Sequence, residues 1–192
     1  MSTLARYAGS LALLGGAVWL IATVVLMVAS SSFAWLGLIA AMVLIGGAAL
    51  GLQRQVGART GNLGRWAAVA TAAGPVATLA LLLIALATTG GNMATPPPTV
   101  VLVLSLVAFL LWLVGSIVFA LSLIRAKAIP SIAGWLIVLG AVVGTVATFA
   151  SGQSPSPLFY VPFGLYGVGW MLVGFASRTT TAAELNVAGQ PS

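Results

Sequence analysis

Proton transfer, metal binding and nucleophilic attack draw on His, Cys, Asp, Glu and Lys, and of these this chain keeps only Glu184 and Lys127. The remaining charge is carried by arginines, for a formal net charge of +6. A site of Cys, His and carboxylate ligands cannot be assembled from one carboxylate. General acid–base work and serine activation both need a neighbouring base. Glu184 stands alone in the polar stretch "RTTTAAELNVAGQPS", and Lys127 closes an apolar run at the level of lipid headgroups. The residue types point to a non-catalytic chain with neither cofactor nor metal.

The elements that position these few groups are apolar runs of membrane-crossing length. A bilayer core of about 30 Å takes roughly 20 helical residues. Six runs meet that length: Tyr7 to Val28, Phe33 to Leu52, Trp66 to Ala87, Val100 to Ile124, Ser131 to Ala150 and Leu158 to Ala176. Stretches such as "VVLVLSLVAFLLWLVGSIVFALSLI" are apolar all round, whereas helices buried in a water-soluble protein keep a polar stripe. Backbone groups in lipid must be satisfied within their own helix. The fold class is therefore all-α, a polytopic helical bundle of six spans over 1–177, followed by a polar tail, 178–192, expected to be disordered. The first run exceeds the roughly 7–15 residues of a signal-peptide core, so it reads as an uncleaved helix.

Charge placement orients the bundle. Arg6 precedes the first run; Arg54, Arg59 and Arg65 lie between the second and third; Arg125 and Lys127 lie between the fourth and fifth; Arg178 follows the sixth. All fall on one side, and the opposite connections 29–32, 88–99 and 151–157 carry no charge. Lys and Arg in short loops mark the cytoplasmic side, which places both termini in the cytoplasm of a cell whose inner membrane holds the chain. Anionic lipid headgroups are the partners these cations need, at about 1 kcal/mol each. Their spread over four segments argues against a nucleic-acid patch. The neutral "TPPPT" reads as a stiff polyproline spacer.

The cytoplasmic starts of alternate runs look alike: "LARYAGSLALLGG", "LGRWAAVATAAGPVATLA" and "IAGWLIVLGAVVGTVATFA", each with an interfacial Tyr7, Trp66 or Trp135 and a deeper Gly15, Gly74 or Gly144. The others end on Gly46, Gly115 and Gly174 near a cation. This suggests two or three parallel hairpin repeats. In these features the chain resembles small six-helix bacterial inner-membrane proteins built from repeated hairpins. Some relatives of that shape are linked to acid stress, and many have no known function. The resemblance implies a bacterial inner-membrane location and carries no functional residues across.

What remains is packing chemistry. Small residues let helix backbones approach in lipid, which marks Gly47 with Gly51, Gly140 with Gly144, and Gly74 in the Ala-rich third run as contact positions. The same residues place that third run at the centre of the bundle. Pro75 lacks an N–H and frees the Thr71 carbonyl. Trp19, Trp112 and Trp170 lie deep in their runs although Trp favours interfaces, so they outline an apolar pocket for a quinone, a lipid tail or a similar flat molecule. On the last run, turns of about 100° bring Phe163, Tyr166 and Trp170 to one face beside Gly164, Gly167, Met171 and Gly174. That face is expected to dock outward on another membrane protein or a second copy. The sequence thus supports a structural or accessory subunit first, and a passive binder or transporter of a neutral or apolar molecule second.

Overall fold

The computed structural model describes residues 3–29, 32–90, 98–150 and 160–188. They form five helices: α1 (Thr3–Ala29), α2 (Ser32–Thr88), α3 (Thr99–Arg125), α4 (Ser131–Ala150) and α5 (Val161–Ala188). The chain is all-helical, as the apolar runs predict. Helices α1, α2 and α3 are long and apolar enough to cross a membrane, and α4 is a shorter apolar helix.

Two boundaries differ from the sequence reading. The stretch between the second and third runs is not an open loop: helix continues through "QRQVGAR" to a single break at Gly61 (φ 65°, ψ −164°). That conformation belongs almost wholly to glycine. Gln, Arg and Ala around it are good helix formers, and the Thr60 hydroxyl bonds the Gln53 side-chain oxygen at 2.9 Å. Gly61 thus divides α2 into arms 32–60 and 62–88. At the other end, α5 continues past Arg178 to Ala188 where a disordered tail is expected; "TAAEL" carries enough helix-forming side chains to prolong it. The side chain of Glu184, most of the Pro-rich connection and the connection 151–157 lie outside the described residues. Of "TPPPT", Pro98 is described, with polyproline-like angles (φ −53°, ψ 142°) at the start of α3.

Neighbours in sequence are neighbours in space. Helix α1 packs on α2 and α5, α2 on α3, α3 on α4, and α4 on α5. Contacts assign the arms: Gly15 of α1 meets Ile45, and Gly51 meets Ala8 and Leu4, so arm 32–60 lies on α1. Gly46 meets Ala72, so the arms fold against each other; Gly115 meets Ala70 and Thr71, so arm 62–88 lies on α3. The result is a closed ring of antiparallel rods. The third run is therefore one member of the ring, not its centre; Val69, Val76, Leu79 and Leu83 on it are exposed.

The end of α3 carries one strained residue. Ala128 N–H bonds the Leu123 carbonyl and Lys127 N–H the Ile124 carbonyl, both at 3.0 Å, the two bonds of a Schellman stop. Lys127 occupies its left-handed position (φ 51°), which usually belongs to glycine.

Candidate functional site: the aromatic centre

Three helices that are not all neighbours supply the middle of the ring. Helix α1 brings Trp19, α3 brings Trp112, and α5 brings Tyr166. The Trp19 and Trp112 rings stack with centroids 5.4 Å apart, and Tyr166 lies 5.0 Å from Trp19 and 5.2 Å from Trp112. Helical spacing repeats the pattern toward the cationic end: Trp170, four residues after Tyr166, stacks on Phe119 at 6.5 Å. Phe109 and Phe163 flank the group, at 5.7 Å from Trp112 and 6.4 Å from Trp19. Trp112, Trp170, Tyr166 and Phe119 are all fully or almost fully buried. The three tryptophans singled out in the sequence thus share one cluster, joined through Tyr166, and their rings fill it.

The polar atoms of this cluster are unevenly satisfied. Trp19 Nε1 donates to the Phe163 carbonyl at 2.7 Å. The Ser116 and Tyr166 hydroxyls bond each other at 3.1 Å. The indole nitrogens of Trp112 and Trp170 are buried without a hydrogen-bond partner; the Trp170 N–H faces the Tyr166 hydroxyl without reaching hydrogen-bond geometry. Chemically the cluster holds hydrogen-bond donors and hydroxyl acceptors among rings that stack on one another. It contains no base to move a proton.

Glycines make the seams around it. A Cβ on Gly16 would lie 2.5 Å from the Gly167 carbonyl, and one on Gly174 would lie 2.5 Å from Leu13 N and 2.6 Å from the Gly9 carbonyl. On the other side of α5, a Cβ on Gly140 would meet Tyr166 N at 2.5 Å and the Pro162 carbonyl at 2.7 Å. The expectation of an outward docking face on α5 is therefore corrected: Tyr166, Gly167, Trp170 and Gly174 face α1, α3 and α4 within the chain, because the glycine groove admits the α1 backbone. Gly51 and Gly74 stand at equally tight contacts with Ala8 and Trp112, and Gly144 lies against the Phe163 ring. Gly47 and Gly164 do not: their nearest neighbours, Leu11 and Leu20, are at an ordinary 3.5 Å.

The cations gather at one end. Gln55 Nε2 donates to the Ala5 carbonyl at 2.6 Å, Arg178 donates to Ser10 Oγ at 2.9 Å, and Gly64 adjoins Ser122. These contacts bring the segments of Arg6, Arg54, Arg59, Arg65, Arg125, Lys127 and Arg178 to the same rim, where all seven are exposed. Tyr7, Trp66 and Trp135 are exposed at that rim too. The Thr71 carbonyl that Pro75 leaves behind faces arm 32–60, 3.5 Å from where a Cβ on Gly46 would lie, so packed backbone covers it. Val18, Ile21, Val25 and Phe33 line an open apolar groove of about 220 Å³ between α1 and α2.

Sequence reasoning missed Ser116, Phe119 and Phe109. Thr23, Thr71, Thr78, Thr145, Ser122 and Ser177 bond carbonyls three or four residues upstream, the ordinary fate of a hydroxyl in an apolar helix. Ser116 reaches across to Tyr166 instead. Its spacing of four from Trp112 was the available signal, and it does not say which helix lies opposite. Compared with family models, with curated proteins and with solved structures, the chain finds no match.

Proposed function

We propose that this is a non-catalytic integral membrane protein of six spans, with both termini in the cytoplasm of a bacterial cell, acting as a structural or accessory subunit. In this reading the two arms of α2 count as separate spans beside α1, α3, α4 and α5. The antiparallel ring and the common rim of cations support that count. By the positive-inside rule the rim faces the cytoplasm, where its cations meet anionic headgroups, while exposed aromatics at the same level suit the interface.

The observation that carries the accessory role is the outer wall of α3. Leu102, Val103, Leu106, Val107, Leu110 and Val114 are all exposed, an apolar sector wider than one helix stripe. It offers a neighbouring helix, from another membrane protein or a second copy, a surface that the sealed seams no longer offer. Reporter fusions after Gln55, Gly91 and Lys127 should read in, out and in; export of the Gln55 fusion would sink the six-span topology. Because the chain has no cysteine, single cysteines at Leu106 and Leu110 give a clean second test. Cross-linking in native membranes should trap one discrete species from α3 and none from Leu14 on α1. Equal or absent trapping at both would remove the accessory role.

A second reading, a passive binder of a neutral, largely apolar molecule, is favoured by the two buried indoles that lack partners.

A further inference from the structure

We propose that Arg6, Ser10 and Arg178 form a site for the phosphate of one anionic phospholipid, held across the joint between α1 and α5. This rests on the membrane reading above and deepens it, since it assigns one lipid to one joint instead of a rim that meets headgroups diffusely.

Two pieces of geometry assemble the site. Arg178 on α5 donates through Nη2 to Ser10 Oγ on α1 at 2.9 Å. Arg6 precedes Ser10 by four residues in the same helix, so the two side chains share a face, with Cβ atoms about 5–6 Å apart. The Arg178 guanidinium is thereby brought to the face of α1 that already carries Arg6. Like charges at this spacing repel, and among the described residues no carboxylate side chain stands by to relieve them. Glu184 follows Arg178 by six positions, off the three- and four-residue spacing that would set it over Arg178. An external anion meets the need. Ser10 accepts the bond from Arg178 and keeps its own proton to donate, because it does not bond a carbonyl one turn upstream as Thr23 and Ser177 do. A hydroxyl and two guanidinium groups are donors suited to phosphate, which arginine recognises through its planar fork. The surface below the site selects a lipid over a phosphate ester free in water. Leu14, one turn toward the bilayer from Ser10, and Phe175, three residues before Arg178, are both exposed. They continue the two halves of the site as apolar wall, which fits acyl chains attached to the same phosphate. Tyr7, exposed beside Arg6, adds an amphipathic ring at the headgroup level.

The test is native mass spectrometry of the full chain, stripped of lipid in detergent and titrated with dioleoylphosphatidylglycerol, dioleoylphosphatidylcholine or glycerol 3-phosphate. The two lipids share their tails and differ in net charge, while glycerol 3-phosphate keeps the phosphate without the tails. The expected result is a first phosphatidylglycerol bound more tightly than phosphatidylcholine, and glycerol 3-phosphate bound more weakly than either. Arg6→Gln and Arg178→Gln should each weaken that first lipid about 10-fold, the worth of a charge-assisted hydrogen bond. Arg125→Gln, at the end of α3 across the ring, should leave it nearly unchanged. Arg6 is exposed, so its variant keeps the test decisive if Arg178→Gln disturbs the joint itself. Equal losses at Arg6 and Arg125 would mean diffuse attraction and overturn the site. Glycerol 3-phosphate binding as tightly as phosphatidylglycerol would overturn the lipid assignment in favour of a free phosphate ester. No preference for phosphatidylglycerol over phosphatidylcholine would sink the site as well, whereas the six-span topology would still stand or fall on its own reporter fusions.

Discussion

Where α1 meets α5, backbone touches backbone; where α1 meets α3, ring touches ring. Gly16 and Gly167 leave no space for a methyl group between their helices, while Trp19 and Trp112 bridge the hollow of the ring at 5.4 Å. The difference reflects the solvent. Lipid tails are as apolar as Leu, so helices gain little from burying apolar area and hold together by close contact and hydrogen bonds. Glycine achieves contact at the seam, where the rods run side by side. Large rings achieve it at the centre, where a closed ring of rods leaves the greatest distance to fill.

The seam should be the more brittle of the two. Gly16→Leu forces a side chain into the Gly167 backbone and is expected to cost about 3 kcal/mol, the upper end of overpacking. Gly164→Leu, on the same helix as Gly167 but facing only the tip of Leu20, should cost far less. Unfolding in mixed detergent micelles measures both, and similar losses at the two positions would dissolve the distinction. Gly61→Ala comes next. No atom lies within 4 Å of its would-be Cβ, so any loss is pure backbone strain, about 1–3 kcal/mol. Gly57→Ala, in ordinary helix four residues earlier, should be neutral or stabilising. The smallest effect belongs to the centre. A double-mutant cycle of Ser116→Ala and Tyr166→Phe should give a coupling of about 0.6 kcal/mol, the average for hydrogen bonds inside membrane proteins. A coupling near zero would leave the centre held by ring packing alone.

The sequence made the apolar helices legible, because apolar length is a one-dimensional fact, and the seven cations it assigned to one side do share a rim. Of the residues it grouped on one side of α5, Phe163, Tyr166 and Trp170 join the aromatic cluster, and Gly167 and Gly174 seat α1. What it could not say is which way that face points. Periodicity assigns residues to a stripe, and only the closure of the ring decides that the stripe meets α1 and α4 instead of an outside partner. The same limit hid Ser116, whose neighbour in space is fifty positions away. The placement of the third run erred for a related reason. Small residues mark close approach, and a rod in a ring needs them on two sides just as a central rod would. The region around Arg54 to Arg65 reads as a loop because it is polar, yet polarity ends a span without ending a helix. The turn is made at Gly61.

Because spatial order follows chain order, most of the ring can assemble as the polypeptide leaves the ribosome, each rod finding its predecessor already in place. One contact cannot form this way. Helix α1 waits through the synthesis of every other helix for α5, and until α5 arrives the Trp19 N–H has no Phe163 carbonyl to bond. Of these five helices α1 is thus the last to be completed, its glycine groove and indole exposed during that interval. A truncated chain ending before Val161 would hold that exposed state permanently, as an open crescent with two unmatched edges.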